Sequence, residues 1–234
     1  MSAAPHRCQT CSVRDTALCA SLNDFELSAL NSLGRRKLLP AGEALSWAGE
    51  SSATCGHIVD GALKLTASTA DGREQIVGLL FPGDFVGQLF AEQNSLTITT
   101  LIDTDICLYP RGGFERLLET YPRMERMLLE RTMSSLDSAR ERMLSLGRKN
   151  AQERVAGFLL ELAEHTGAPD DSGGVRVAIP ISRGEMADFL GLTIETVSRQ
   201  LTRLKSADII TFAKGERDCT IIDLTSLKNL VNPL

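Results

Sequence analysis

Aromatic side chains are scarce in this 234-residue chain, at 5 %, and there are only three histidines. So few imidazoles leave little for acid–base catalysis. No nucleophile–base constellation, phosphate-cradling loop or HExxH helix is present, so the chain is expected not to be an enzyme. Long apolar runs are also missing. The most apolar stretch, QIVGLLFPGDFVGQLF, is interrupted by Pro82, Gly83 and Asp84 and is too short to span a membrane. The start, MSAAPHRCQT, has no apolar h-region of the kind that marks a secretory signal. The expectation is a cytoplasmic protein with no membrane partner. Nor is there an excess of positive charge: the net charge is −5, so contact with nucleic acid requires a local basic patch. An apolar fraction of 43 % is ordinary for a soluble globular protein and is enough to build one large core or two smaller ones.

Cysteine is placed unevenly. Cys8, Cys11 and Cys19 stand in CQTCSVRDTALC, half of the six thiols in one short polar segment with little to bury. In a reducing compartment, clustered thiols more often bind metal or sense redox than form disulfides. Three thiolates are an incomplete set for a tetrahedral ion or a cubane, so a fourth ligand is needed. Cys55, in the apolar run CGHIVDGALKL, and Cys219 read as core residues. His57 reads as a packed or surface residue and His6 as an exposed neighbour of Cys8.

After this segment (1–20) the texture changes. NDFELSALNSL places Phe25, Leu27, Leu30 and Leu33 at roughly helical spacing behind a cap at Asn23 or Asp24. Short strand-like runs follow, punctuated about every ten residues by Gly42, Gly49, Gly61, Gly72 and Gly83. That rhythm predicts an antiparallel sandwich or β-roll over 21–110. Beyond Pro110 the pattern is helical (111–147), broken at Pro122. A long helix at about 123–146 carries an apolar stripe that includes Met127, Met133, Leu136 and Met143. At ~36 Å it is longer than a small β-roll needs, which favours a homodimer seam. Another amphipathic helix, AQERVAGFLLELAEHTG, opens the last region, 148–234.

There Ser182 and Glu185 form a capping box, Gly191 ends one helix, and Thr193 caps the next. In the second helix Ile194, Val197, Leu201 and Leu204 are expected to face inward, with Glu195, Ser198, Arg199 and Thr202 facing outward. Two short helices around a tight glycine turn are a helix-turn-helix, whose second helix reads the major groove. Arg199 suits a guanine edge, Glu195 a cytosine amine, and Ser198 either a base or a thymine methyl. IITFAKGERDCTIIDL adds a wing, with Lys214 and Arg217 near its tip. Residues 193–217 hold five basic side chains, among them Arg203, against three acids, a local excess in an acidic chain.

A β-roll, a long helix and a winged helix-turn-helix in that order resemble the CRP/FNR superfamily of bacterial transcription regulators over nearly the whole chain. The fold implied is α+β: a cyclic-nucleotide-binding-like jelly roll, a dimerisation helix and a winged reading domain. GLTIETVSRQLTRL resembles the recognition helix of the FNR branch, GRKNAQERVAGFL the junction before it, and FPGDFVG the glycine turn of the roll. Relatives that bind cyclic AMP carry an arginine–hydroxyl pair after that turn; EQNSLTITTLIDT has no arginine, so no cyclic nucleotide is expected. The resemblance implies a [4Fe–4S] cluster held by Cys8, Cys11, Cys19 and, by position at the end of the roll, Cys107 in DTDICLYP. The spacing, C-x2-C-x7-C, departs from the C-x2-C-x5-C of the best-known member. Spacing alone does not separate iron–sulfur from zinc; the resemblance points to iron–sulfur. The implied function is oxygen-responsive control of anaerobic or microaerobic genes. Its implied partners are RNA polymerase and DNA bearing an inverted TTGAT-like repeat. Two rivals share the fold: a thiol-switch or zinc regulator, and a constitutive, cluster-independent DNA-binding protein. The second draws on Ala139, which stands at a seam position where oxygen-labile relatives tend to carry an acid.

Overall fold

The structure, a computed structural model, describes residues 5–170, 173–212 and 218–231. It opens with a short helix, α1 (His6–Gln9), and a 3-10 turn at Leu18–Ser21. Helix α2 (Asp24–Leu33) starts at a capping box in which the Asn23 side chain accepts from Glu26 N and the Glu26 carboxylate accepts from Asn23 N. The strands of the roll are β1 (Arg35–Leu39), β2 (Ala44–Ser46), β3 (Thr54–Asp60), β4 (Leu63–Ser68), β5 (Glu74–Leu80), β6 (Phe85–Val86), β7 (Thr97–Thr100) and β8 (Thr104–Pro110). They form two antiparallel sheets in the orders β1-β8-β3-β6 and β2-β7-β4-β5. The five glycines expected to punctuate the run all have positive φ.

Leu39, Ile58, Leu63, Val86, Ile98, Ile106 and Leu108 fill the space between the sheets. Strand β3 reads as a continuous buried run rather than an alternating one, because its outer face is covered too. The cover comes from helices α3 (Arg111–Thr120) and α4 (Pro122–Arg148) and from the N-terminal segment. Leu18, Cys19, Leu22, Leu27 and Leu30 join Cys55, Tyr109, Phe114, Leu118 and Met124 in one buried cluster. This corrects the expectation for residues 1–20: Val13, Ala17, Leu18 and Cys19 are buried. Four apolar side chains are enough to seat a short segment when the sheet offers an apolar face. Phe25 is a second correction, 72 % exposed. Leu27 and Leu30 are three apart and share a face, whereas Phe25, two before Leu27, points away from it.

The chain divides between Asp137 and Ser138, inside α4, into two compact units. The second unit holds the end of α4, helix α5 (Ala151–Thr166), strands β9 (Ala168–Pro169) and β10 (Val175–Val177), helices α6 (Arg183–Leu190) and α7 (Ile194–Ser206), strands β11 (Ile210–Phe212) and β12 (Cys219–Ile221), and helix α8 (Leu224–Val231). Its sheet, β11-β12-β10-β9, is antiparallel. Asn150 and Glu153 make the capping box that starts α5. Val155, Phe158, Leu159 and Leu162 of α5 are buried, as are Met186 and Phe189 of α6 and Val197, Leu201 and Leu204 of α7. Ile194, expected inward, is 52 % exposed: it is the first residue of α7, and Gln200 takes a buried place on the inner face instead.

Because Leu18 is 1 % exposed, Leu18→Ala should lower unfolding free energy by about 2–5 kcal/mol, the usual range for a buried leucine. Urea denaturation of the chelator-treated protein measures this. A loss under about 0.5 kcal/mol, typical of surface positions, would show that the segment is not part of the core.

Candidate functional site

On β8 the side chains of Cys107 and Tyr109 share a face, two residues apart, and antiparallel pairing sets His57 of β3 opposite Cys107 and Cys55 opposite Tyr109. That is the face over which the N-terminal segment lies. One cavity is lined by Cys8, Cys11, Cys19 and Cys107, together with His57 and Tyr109. It encloses about 20 Å³, room for roughly one water, so the segment would have to shift outward from β8 to admit a larger group. Cys55 does not line it. Among the described residues, no group of three or more His, Cys, Asp or Glu side chains is arranged to hold a metal ion.

Burial pushes the Cys19 thiol up to about 12, with the neighbouring Cys107, Cys8 and Cys11 sulfurs adding to the effect. It raises Cys8 and Cys107 as well, and in both cases the Arg7 guanidinium opposes the rise. Three arginines line the same cavity: Arg7, Arg14 and Arg36. Arg7 is seated by bonds from Nη2 to the carbonyls of Asn31 (2.7 Å) and Gly34 (2.9 Å). Arg36 is paired to Asp105 and Arg14 to Asp24. Such a setting keeps the Cys8, Cys19 and Cys107 thiols protonated at neutral pH, and the arginines would offset the charge of any thiolate formed there.

His57 was read from the sequence as packed or surface; it is buried, and its Nε2 lies 3.5 Å from Cys19 Sγ and 3.4 Å from the Tyr109 hydroxyl. Its Nδ1 is buried without a partner. An orphaned N–H is rarer in proteins than an orphaned acceptor, so we assign the proton to Nε2, which then donates toward the sulfur. Burial, and secondarily the Arg131 charge on α4, lowers the imidazole to about 4, so it is neutral at physiological pH. The three arginines and His57 were not anticipated as site residues. The signal for His57 was its strand register with Cys107, a long-range pairing that spacing along the chain does not carry.

The second site is the outer face of α7. Ser182 and Glu185 cap α6 reciprocally, as expected. Gly191 then turns with φ 61°, and Thr193 caps α7 by accepting from Thr196 N at 3.2 Å. Glu195, Arg199, Thr202 and Arg203 are exposed, and Ser198 is half-buried. Ser198, Arg199, Thr202 and Arg203 line one open surface. A bond from the Glu195 backbone N–H, joined by the Thr193 hydroxyl, holds the Glu195 carboxyl below its ordinary value, so it is an ionised acceptor at neutral pH. Lys214 and Arg217 lie outside the described residues. Along α4, Met133, Leu136 and Met143 are exposed apolar side chains and Ala139 is exposed beside them, while Met127 is half-buried against its own roll. Leu129, 57 % exposed, extends the stripe: Leu129, Met133, Leu136 and Met143 keep coiled-coil spacing, interrupted by Arg140.

Comparison with known proteins bears on both sites. A family model described as a Crp-like helix-turn-helix domain matches residues 153–230, and one described as a cyclic nucleotide-binding domain matches 36–121. A probable transcriptional activator of Rhizobium leguminosarum bv. viciae is 37 % identical over 228 residues, 97 % of this chain and 94 % of that one. The transcriptional activator protein FnrL of Cereibacter sphaeroides is 37 % identical over 225 residues, 95 % of this chain and 90 % of its own. The solved structure of FixK2 from Bradyrhizobium japonicum matches with a TM-score of 0.77 at 32 % identity, over 84 % of this chain and 96 % of that one.

The thiols should differ sharply in reactivity once reduced and freed of metal. Cys8 and Cys11, only partly buried, should label with a maleimide at pH 8 well before Cys19, Cys55 and Cys219, each buried and pushed up to about 12. Timed peptide mass spectrometry gives the order, and a Cys19 that labels as fast as Cys11 would contradict the packing described.

Proposed function

This chain belongs to the Crp/Fnr family of transcription regulators, and from that premise we propose that it responds to oxygen through a [4Fe–4S] cluster bound by Cys8, Cys11, Cys19 and Cys107. It is a DNA-binding helix-turn-helix regulator and not an enzyme. Among the described residues no helix is long and apolar enough to cross a membrane.

One observation carries the cluster reading: four thiols from two distant stretches of chain line the same cavity, with three arginines around them. Four thiolates complete a cubane's ligand set, and a bound cluster would supply oxygen-sensitive redox chemistry. The raised thiols count against a simple thiol switch, which needs a readily formed thiolate. This chain's own residues supply a route outward. Leu18 and Cys19 share a buried cluster with Met124 of α4, and Met127 and Leu128 pack against it, so the seating of the N-terminal segment bears on the root of the dimer helix. The response is a shift between two seatings of different dimer free energy. In the favoured dimer, two α7 helices read an inverted TTGAT-like repeat with half-sites one helical turn apart, and RNA polymerase is the partner in activation. Cyclic nucleotide has no part in this reading: residues 87–100 contain no lysine or arginine to meet a cyclic phosphate.

Purification under argon should give a brown protein with about four iron and four sulfide per chain, the stoichiometry of the cubane, bleached by air. Cys107→Ser should lose the colour and Cys55→Ser keep it. Colourless protein carrying zinc, or the reverse behaviour of the two variants, would overturn the assignment. On the DNA side, Arg199→Ala should cost about 1–3 kcal/mol per half-site and flatten discrimination at one base pair. Affinity for a site and for its guanine-substituted versions, at one salt concentration, checks this. Equal losses on every sequence would reduce Arg199 to a backbone contact.

A further inference from the structure

The end of α4 and the end of α6 each leave carbonyls that no helical N–H can reach, at the negative pole of the helix. One side chain meets both. Arg154, in the first turn of α5, donates from Nη2 to Leu146 O at 2.7 Å and from Nε to Lys149 O at 2.9 Å. Its Nη1 donates to Leu190 O at 3.0 Å and to Gly191 O at 3.4 Å. The first pair of carbonyls closes α4; the second closes α6 and forms the turn that launches α7. A guanidinium is a rigid planar fork, so four bonds from it fix the ends of α4 and α6 against the start of α5 in one geometry. The turn is also closed sterically, because a Cβ on Gly191 would stand 3.1 Å from Leu146 Cδ2. The end of α4 so held carries Met143 of the seam, three residues before Leu146.

We infer that Arg154 is a positioning residue that sets the angle between the end of α4, which carries Met143 of the seam, and the reading helix α7, and through it the half-site spacing that the dimer accepts. The inference rests on the reading of the chain as a dimer on an inverted repeat. It is separate from base contact, since Arg154 is on α5 and not on the outer face of α7. Nor does the packing hang on Arg154 alone. Arg142 of α4 also ties the helices, 3.1 Å from Glu161 Oε1 and 4.0 Å over the Phe189 ring, so a second tie remains in a variant at 154.

The test is affinity for inverted repeats whose spacer is optimal, one base pair shorter or one longer, and for a single half-site, measured on the full-length protein. One base pair moves a half-site by about 3.4 Å and turns it by about 35°. The wild type should discriminate steeply among spacers. In R154A that discrimination should shrink by about two- to thirty-fold, the range for a residue that carries coupling, while single half-site affinity stays within about twofold. R154K should behave like R154A, because one ammonium cannot span four carbonyls. Cooperative thermal unfolding verifies that the variants fold, with R154Q as the replacement if R154A does not. An R154A that keeps the wild-type spacer discrimination overturns the inference and leaves the dimer reading intact. So does an equal loss on all sites including the single half-site, since that marks a merely structural role, or full rescue by R154K, since that marks charge alone. A wild type that discriminates no spacers removes the dimer reading and this inference together.

Discussion

The pairing of β3 with β8 is the constraint on which the N-terminal unit depends. The strands approach so closely that a Cβ on Gly56 would fall 2.2 Å from the Cys107 carbonyl oxygen. The register that results puts Gly56 beside Leu108 and His57 beside Cys107. Slipping it by one residue would exchange the faces of a strand, sending Cys107 into the dry interior and Leu108 outward. With the register in place, Ile58, Ile106 and Leu108 point between the sheets, while Cys55, His57, Cys107 and Tyr109 look out. The outward set is half apolar and half chemical, and so it both seats a covering segment and gives that segment's cysteines something to meet.

The covering segment does two jobs with the same few residues. Val13, Ala17 and Leu18 bury apolar surface, which anchors the stretch; Cys8, Cys11 and Cys19 turn into the cavity. Each of these side chains stabilises the seat in proportion to the apolar area it buries, of the order of 25 cal/mol per Å². The first turns of α4 share its buried cluster through Met124, so the cysteine-bearing segment and the root of α4 are packed together.

The reading unit is organised differently. Its helices are defined locally, by the capping boxes at Asn150 and Ser182, worth about 1 kcal/mol each, and by the left-handed Gly191. Local definition starts and stops the helices but does not orient them. Orientation comes from the buried faces of α5, α6 and α7, where the Phe158 and Phe189 rings meet with centroids 5.5 Å apart, and from the Arg142 and Arg154 guanidiniums at the edges. A chain of net charge −5 can thus act on a polyanion, because the reading face is a local surface with its own arginines.

What could be read directly from the amino-acid order was whatever depends on neighbours three or four residues apart or on alternation. The break at Pro122 and the long helix after it, the glycine rhythm of the roll, Ser182 with Glu185, Gly191 and Thr193 all belong to that class, since a cap or a helical face is decided within one turn. The same local rule misplaced Phe25 and Ile194, whose helical positions were grouped with an apolar face that begins beyond them. Burial of residues 13–19 was not legible, because a short polar-looking stretch reveals its apolar minority only when a sheet face is there to receive it. Thiols at 8, 11 and 19 could be seen to want a fourth partner, but their gathering with Cys107, the approach of His57 and the four-carbonyl grip of Arg154 were decided by tertiary structure. Each joins residues of different elements, 38 positions apart for Cys19 and His57 and 36 for Arg154 and Leu190, and such contacts are selected by strand register and helix packing rather than by any local preference of the chain.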